Sequence, residues 1–161
     1  MQKPAIILAL LDNIETAYVR KAWHGPNLRG SIRGLSLSDI CWRPAPNRHN
    51  IWEIVVHTAY WKYAVGRRIL GEKRGSFPLK GSNWFHRPEI QTIGAWKNDL
   101  RILDEAHCKM RDAIAGLSQG DLNKKPPGST MNILSIVMGI AAHDLYHAGQ
   151  IQLLKRLRQK S

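Results

Sequence analysis

Four stretches of this 161-residue chain return apolar side chains every three to four positions, and none alternates in the manner of a strand. A chain built this way buries its apolar surface by laying helix against helix. The first stretch runs from about Pro4 to Trp23, with Ile7, Leu10, Leu11, Ile14, Ala17 and Tyr18 as its stripe. Pro4 suits an opening helical turn, and His24-Gly25-Pro26-Asn27 breaks the pattern. Leu28 to Asn50 is interrupted by Gly30, Gly34, Pro44 and Pro46, leaving room for one helical turn near Ser38 to Trp42, capped by Ser38. A second helix is expected from Asn50 to Leu70, with Asn50 as N-cap and Glu53 three places on, as in a capping box.

Gly71 to Arg87 is a long, polar, glycine-rich connection of the kind that often carries function. A third helix is expected from Pro88 to Ala115, on the stripe Ile93, Trp96, Leu100, Leu103, Ala106 and Met110. Gly120, Pro126, Pro127 and Gly128 keep 116–130 from being helix throughout. A last helix spans Asn132 to Arg158, where Lys155, Arg156 and Arg158 complement the negative end of the dipole. The pattern predicts an all-α four-helix bundle, with residues 1–161 as a single domain.

Composition narrows the function classes. Lys and Arg total 24 against 12 Asp and Glu, a net charge of +12 that attracts anions and says nothing of fold. The basic residues are spread over every segment without zinc-finger or basic-zipper spacing, so a non-catalytic nucleic-acid-binding protein is the least favoured reading. Cys41 and Cys108 are too few for a disulfide framework, point to a reducing compartment and read as structural. The early apolar run Ala5 to Leu11 is too short to span a membrane. The expectation is a cytoplasmic protein without a membrane partner.

The chemistry concentrates in Gly139-Ile140-Ala141-Ala142-His143-Asp144-Leu145-Tyr146-His147-Ala148-Gly149-Gln150. His143 and His147 stand four apart, so on a helix both rings leave one face and can grip one ion. They share that face with Ile136, Ile140, Ile151 and Leu154. Two readings stand: core histidines bonded to nearby carbonyls, or ligands of a metal. A zincin-type protease needs glutamate directly after the first histidine and a ligand downstream. Asp144 and the His-free, carboxylate-free tail fail both requirements.

An upstream ligand is therefore needed, and His57 is the best placed, on the stripe of Ile54, Trp61, Ala64 and Val65. His24 and His49 flank helix ends, His86 lies in a loop, and His107 sits on a mixed stripe. One histidine on an apolar face is ordinarily a satisfied core residue, but three facing one core are harder to explain that way.

The His57 segment, followed far downstream by His-x-x-x-His-x-Gly-Gln-Ile, resembles the DinB/YfiT-like superfamily of bacterial metal-binding four-helix bundles. Ala22-Trp23-His24-Gly25-Pro26-Asn27-Leu28, Trp42-Arg43-Pro44-Ala45-Pro46 and Ile51-Trp52-Glu53 extend the likeness, which runs from near residue 5 to near residue 157. The resemblance implies a divalent metal on His57, His143 and His147 with open positions for water or substrate, and frequent homodimerisation. Three imidazoles suit zinc or nickel first, with iron or manganese behind. Gly149 stands where a related iron-binding pattern, His-x-x-x-His-x-Glu, has its glutamate, which disfavours that chemistry.

Relatives in the superfamily include transferases that use low-molecular-weight thiols and metal-dependent hydrolases. The first expectation is a transferase activating a small thiol. Arg67, Arg68 and Lys73 would draw in an anionic small-molecule substrate. The alternative is a hydrolase using metal-bound hydroxide. Glu53, four before His57, and Gln150, three after His147, are spaced to support those ligands, although Glu53 also suits helix capping and Gln150 plain exposure. His24, Tyr60, Trp61, Trp84 and Tyr146 are candidates to line the substrate pocket.

Overall fold

Side chains that accept the first free backbone N–H groups decide where most of these helices begin. The computed structural model describes residues 3–159. Asn50, Thr92 and Asn132 each cap a long helix through the side-chain oxygen: α4 (Ile51–Leu70), α5 (Ile93–Ala115) and α6 (Ile133–Arg158). The α5 start corrects the expected Pro88, because Thr92 supplies the cap and 88–92 remains non-helical. The first helix, α1 (Ala5–Tyr18), ends short of the expected Trp23, where the N–H groups of Val19 and Arg20 both turn back to the Glu15 carbonyl.

Two short helices precede α4. α2 (Leu28–Ser31), capped by Asn27, was not foreseen. α3 (Leu37–Cys41) is capped by Ser36 rather than Ser38, with Asp39 completing a reciprocal capping box. A 3-10 turn over Gln119–Asn123 lies in the Gly- and Pro-interrupted stretch. The described residues form no strand.

The four long helices meet in a ring: α1 on α6, α6 on α4, α4 on α5 and α5 on α1. One apolar cluster gathers Ile40, Trp52, Val55, Leu103 and Ile151 with the short helices. A second joins Ile7, Ile14, Met110, Ile114, Val137 and Ile140. Full burial of each such side chain is worth about 1.5–3 kcal/mol, which fixes the faces of the long helices. No helix of the described residues is long and apolar enough to cross a membrane.

Along α4 the two clusters hand over between Ala59 and Val65, and there the buried Lys62 pairs with the buried Asp144 of α6. Lys62 Nζ also lies 4.6 Å over the Tyr18 ring. That ring stacks on His107 at 3.8 Å, and its hydroxyl donates to Asp104. His107 Nε2 stands 3.2 Å from Glu15, which also meets Arg111 at 3.1 Å. A second buried network anchors the long α4–α5 connection: Arg87 forks onto Asp99 at 2.7 and 2.8 Å, Trp52 Nε1 donates to Asp99 at 2.7 Å, and Asn50 donates to the Arg87 carbonyl at 2.9 Å. That anchoring carries residues 83–85 back across α4.

Candidate metal centre

Where α4 faces α6, three imidazoles converge on one point. His57 and His147 are buried and His143 is half-buried. Their candidate ligand atoms all lie within 4.8 Å of one another, a group that could hold a metal ion. His143 Nε2 stands 3.2 Å from His57 Nε2 and 3.1 Å from His147 Nε2. Nitrogens bound 2.0–2.1 Å from one ion would be about 3.3 Å apart in a tetrahedron and about 2.9 Å apart in an octahedron. The two measured edges fall between these values.

The protons are placed by the outer ring nitrogens. His57 Nδ1–H donates to the Asn83 carbonyl at 2.8 Å, and His147 Nδ1–H donates to Gln150 Oε1 at 2.7 Å. Both Nε2 atoms therefore present lone pairs to the centre. Without an ion, a single N–H on His143 Nε2 has to serve two acceptors, while its buried Nδ1 has no partner. A cation at the centre would accept all three lone pairs, so the donor set fits a metal of the borderline type. Burial disfavours the charged rings. It lowers the pKa of His57, and with the neighbouring histidines it pushes His143 to about 3 and His147 to about 4. The rings are thus neutral and ready to ligate near pH 7.

Asn83 is a contributor that sequence reasoning missed. It adopts a left-handed backbone, φ 64°, which asparagine tolerates better than most residues. In that conformation its carbonyl meets His57 while its side-chain oxygen accepts Trp61 Nε1–H at 2.9 Å. Next to it, Trp84 stacks between His57 (3.9 Å) and His49 (3.6 Å) and roofs the cluster. Trp61 lies edge-on to both His57 and His143. Tyr146, largely exposed, sets its ring against His147, and its hydroxyl accepts from Gln150 Nε2 at 3.0 Å.

The remaining expected site residues lie elsewhere. Glu53 does not touch His57, whose outer nitrogen is taken by Asn83. The Glu53 carboxylate receives both arms of Arg43 (2.6 and 2.8 Å), His49 Nδ1 (2.9 Å) and the Arg87 N–H (3.2 Å). Burial opposes its ionisation, but the bonds from Arg43 and His49 outweigh it and hold the carboxyl at about 2. Nor does its side chain close a capping box, although its N–H is the one Asn50 caps. Glu53 bears on the cluster only at one remove, through His49 and the stacked Trp84. Tyr60 packs among Tyr63, Phe77 and Phe85 and meets the cluster only through Trp61. His24 is exposed and packs edge-on to Trp23. Arg68 lies 5.9 Å over Trp61, whereas Arg67 and Lys73 line a different cleft.

Comparison with known proteins adds the family. No curated protein and no solved structure matches the chain. The family model described as the DinB superfamily matches residues 21–151, from just before α2 through the paired histidines of α6. That span holds all three converging rings and most of the chain, and on it this protein belongs to the DinB superfamily.

Proposed function

We propose that the protein is a divalent-metal-dependent transferase acting on a small thiol, with His57, His143 and His147 as the ligands and zinc or nickel as the preferred ion. The observation that carries this reading is the convergence of three neutral Nε2 atoms whose outer nitrogens are committed to other acceptors at two of the three rings. A divalent ion held there would keep a thiol as thiolate and leave room for the group that it attacks.

The chain's own residues supply the rest. Asn83 and Gln150 fix two rings, Trp84 and Trp61 exclude water and offer flat apolar walls, and Arg68 adds positive charge beside Trp61. The thiol proton leaves to solvent on binding, so no carboxylate base is needed. That matters because the nearest carboxylates in the sequence are engaged: Glu53 with Arg43 and His49, Asp144 with Lys62. Hydrolysis, which gains from a base beside the attacking water, is served less well by this set.

Titration of a small thiol into cobalt- or nickel-loaded protein tests the proposal. The expected result is a sulfur-to-metal charge-transfer band and conjugation of the thiol to an added electrophile. Neither band nor conjugate, together with turnover of ester or amide substrates, would replace transfer by hydrolysis.

A further inference from the structure

A cleft of about 830 Å³ opens between α4, α5 and the start of the long connection, and none of the three converging histidines lines it. The lining residue of α4 nearest to His57 is Lys62, five positions on, and the wall continues through Gly66 to Leu70. At 3.6 residues per turn and 1.5 Å per residue, Lys62 leaves α4 about 140° round from His57 and about 7.5 Å further along it. The cleft is therefore distinct from the candidate metal centre. Its size lies within the usual range for small-molecule sites, roughly 300–1,000 Å³.

Its lining combines apolar and cationic side chains. Leu70, Phe77, Ile102 and Met110 provide the apolar part, and Arg67, Lys73 and Lys109 the charge. Of the carboxylates around it, Glu105 pairs with Arg101 at 2.6 Å and Asp112 with Arg111 at 3.1 Å. Only Glu72 is left to balance Arg67, Lys73 and Lys109, none of which has a carboxylate partner among the described residues. Arg67 spends Nη1 on the Glu72 carbonyl at 3.1 Å, and its Nε–H is buried without any acceptor. Three cationic side chains around one cleft with no carboxylate paired to them suit an incoming anion.

We propose that this α4–α5 cleft is a second ligand site, independent of the histidine cluster, for a small amphipathic anion: an apolar tail over Phe77 and Met110 and a carboxylate or phosphate head on Arg67, Lys73 and Lys109. A head of either kind accepts from a guanidinium and two ammonium groups, so the head group is what the experiment distinguishes.

Octanoate and octyl phosphate are titrated into the full-length ¹⁵N-labelled protein, beside octanol and inorganic phosphate. One of the two amphiphiles is expected to saturate a single site per chain and to shift the amides of Arg67, Lys73 and Lys109. Octanol and inorganic phosphate should bind at least about tenfold more weakly, each lacking one half of the contact. Arg67→Gln and Lys109→Gln should each weaken the preferred amphiphile about tenfold, while His143→Ala leaves it unchanged. Lys73→Gln, on the connection rather than a helix, gives the same reading should Arg67→Gln not fold. Absence of saturable binding, octanol binding as tightly as the anions, an affinity indifferent to these substitutions, or shifts centred on the histidines would each overturn the proposal.

Discussion

His143 and Asp144 are neighbours on α6, yet they lie in regions built on opposite principles. Asp144 turns into the helix interface and meets Lys62, so two charges removed from water are matched inside the protein, with the Tyr18 ring over the ammonium. His143 turns to the α4–α6 mouth and meets two other imidazoles whose lone pairs point at it. Around Lys62 the polar groups are largely answered within the chain, with Asp144 Oδ1 and His107 Nδ1 the exceptions. At the histidine cluster three imidazoles share a single inward N–H, and the group could hold an ion. The first region matches its charges across the helix interface, and the second gathers lone pairs at one point.

The largest expected effect falls on the first region. Lys62→Met strands a buried carboxylate and should cost about 3–5 kcal/mol in urea unfolding, whereas Lys62→Met with Asp144→Leu should recover most of that loss. If the double variant is as unstable as the single one, the pair is not the feature that matters there. The complementary change is His143→Ala. It should lower affinity for added zinc or nickel by more than about a hundredfold, yet shift metal-free stability by no more than about 1 kcal/mol. Equal metal content in wild type and His143→Ala after dialysis would show that the cluster does not hold the ion.

Both regions were partly legible in the sequence. His57, His143 and His147 could be read because each sits on a regular helical stripe, where spacing fixes direction. Lys62 and Asp144 carried the same signal unread. Each interrupts an otherwise apolar stripe, Val55-Ala59-Val65 on α4 and Ile140-Ala141-Ala148-Ile151 on α6, and opposite charges on facing apolar stripes announce a pair. Asn83 and the Trp84 stack could not be located this way. Residues 71–92 have no period, and their path depends on Arg87 reaching Asp99, a long-range bond that no local pattern encodes. The same lack of period hid the role of Glu53, whose partners Arg43 and Arg87 lie outside its helix.

Acid acts on both regions, and His107 isolates its effect on the first. His107 faces Glu15 and Tyr18 on α1, Lys62 on α4, and Asp104 and Arg111 on its own helix, with Asp144 of α6 behind Lys62. Burial, then Lys62 and Arg111, lowers its pKa to about 3 from an ordinary 6.5. The unfolded chain therefore takes up a proton that the folded chain refuses. The stability from this group is complete above pH 6.5 and is lost as pH falls from there towards 3, by about 2 kcal/mol between pH 7 and pH 5. His107→Gln should remove that share of the slope in metal-free protein, leaving the share due to His143 and His147, without changing metal affinity at pH 7. A slope unchanged by His107→Gln would move the acid sensitivity to other groups, the cluster first among them.

The smallest effect is the most discriminating for the binding region. Gln150 touches no lone pair at the centre; it accepts the His147 Nδ1–H and donates to Tyr146. Gln150→Leu leaves all three imidazoles in place but removes the acceptor that fixes one tautomer, and metal affinity should fall about tenfold. Gln150→Glu keeps that acceptor, adds charge behind the ring and should restore or exceed wild-type affinity, because a carboxylate raises the basicity of the imidazole it holds. A Gln150 acting only through packing would make leucine harmless and glutamate damaging. Opposite responses to the two substitutions, read by competition against a chelator at fixed pH, distinguish a ring held in place for a ligand's work from one merely stored at the edge of the core.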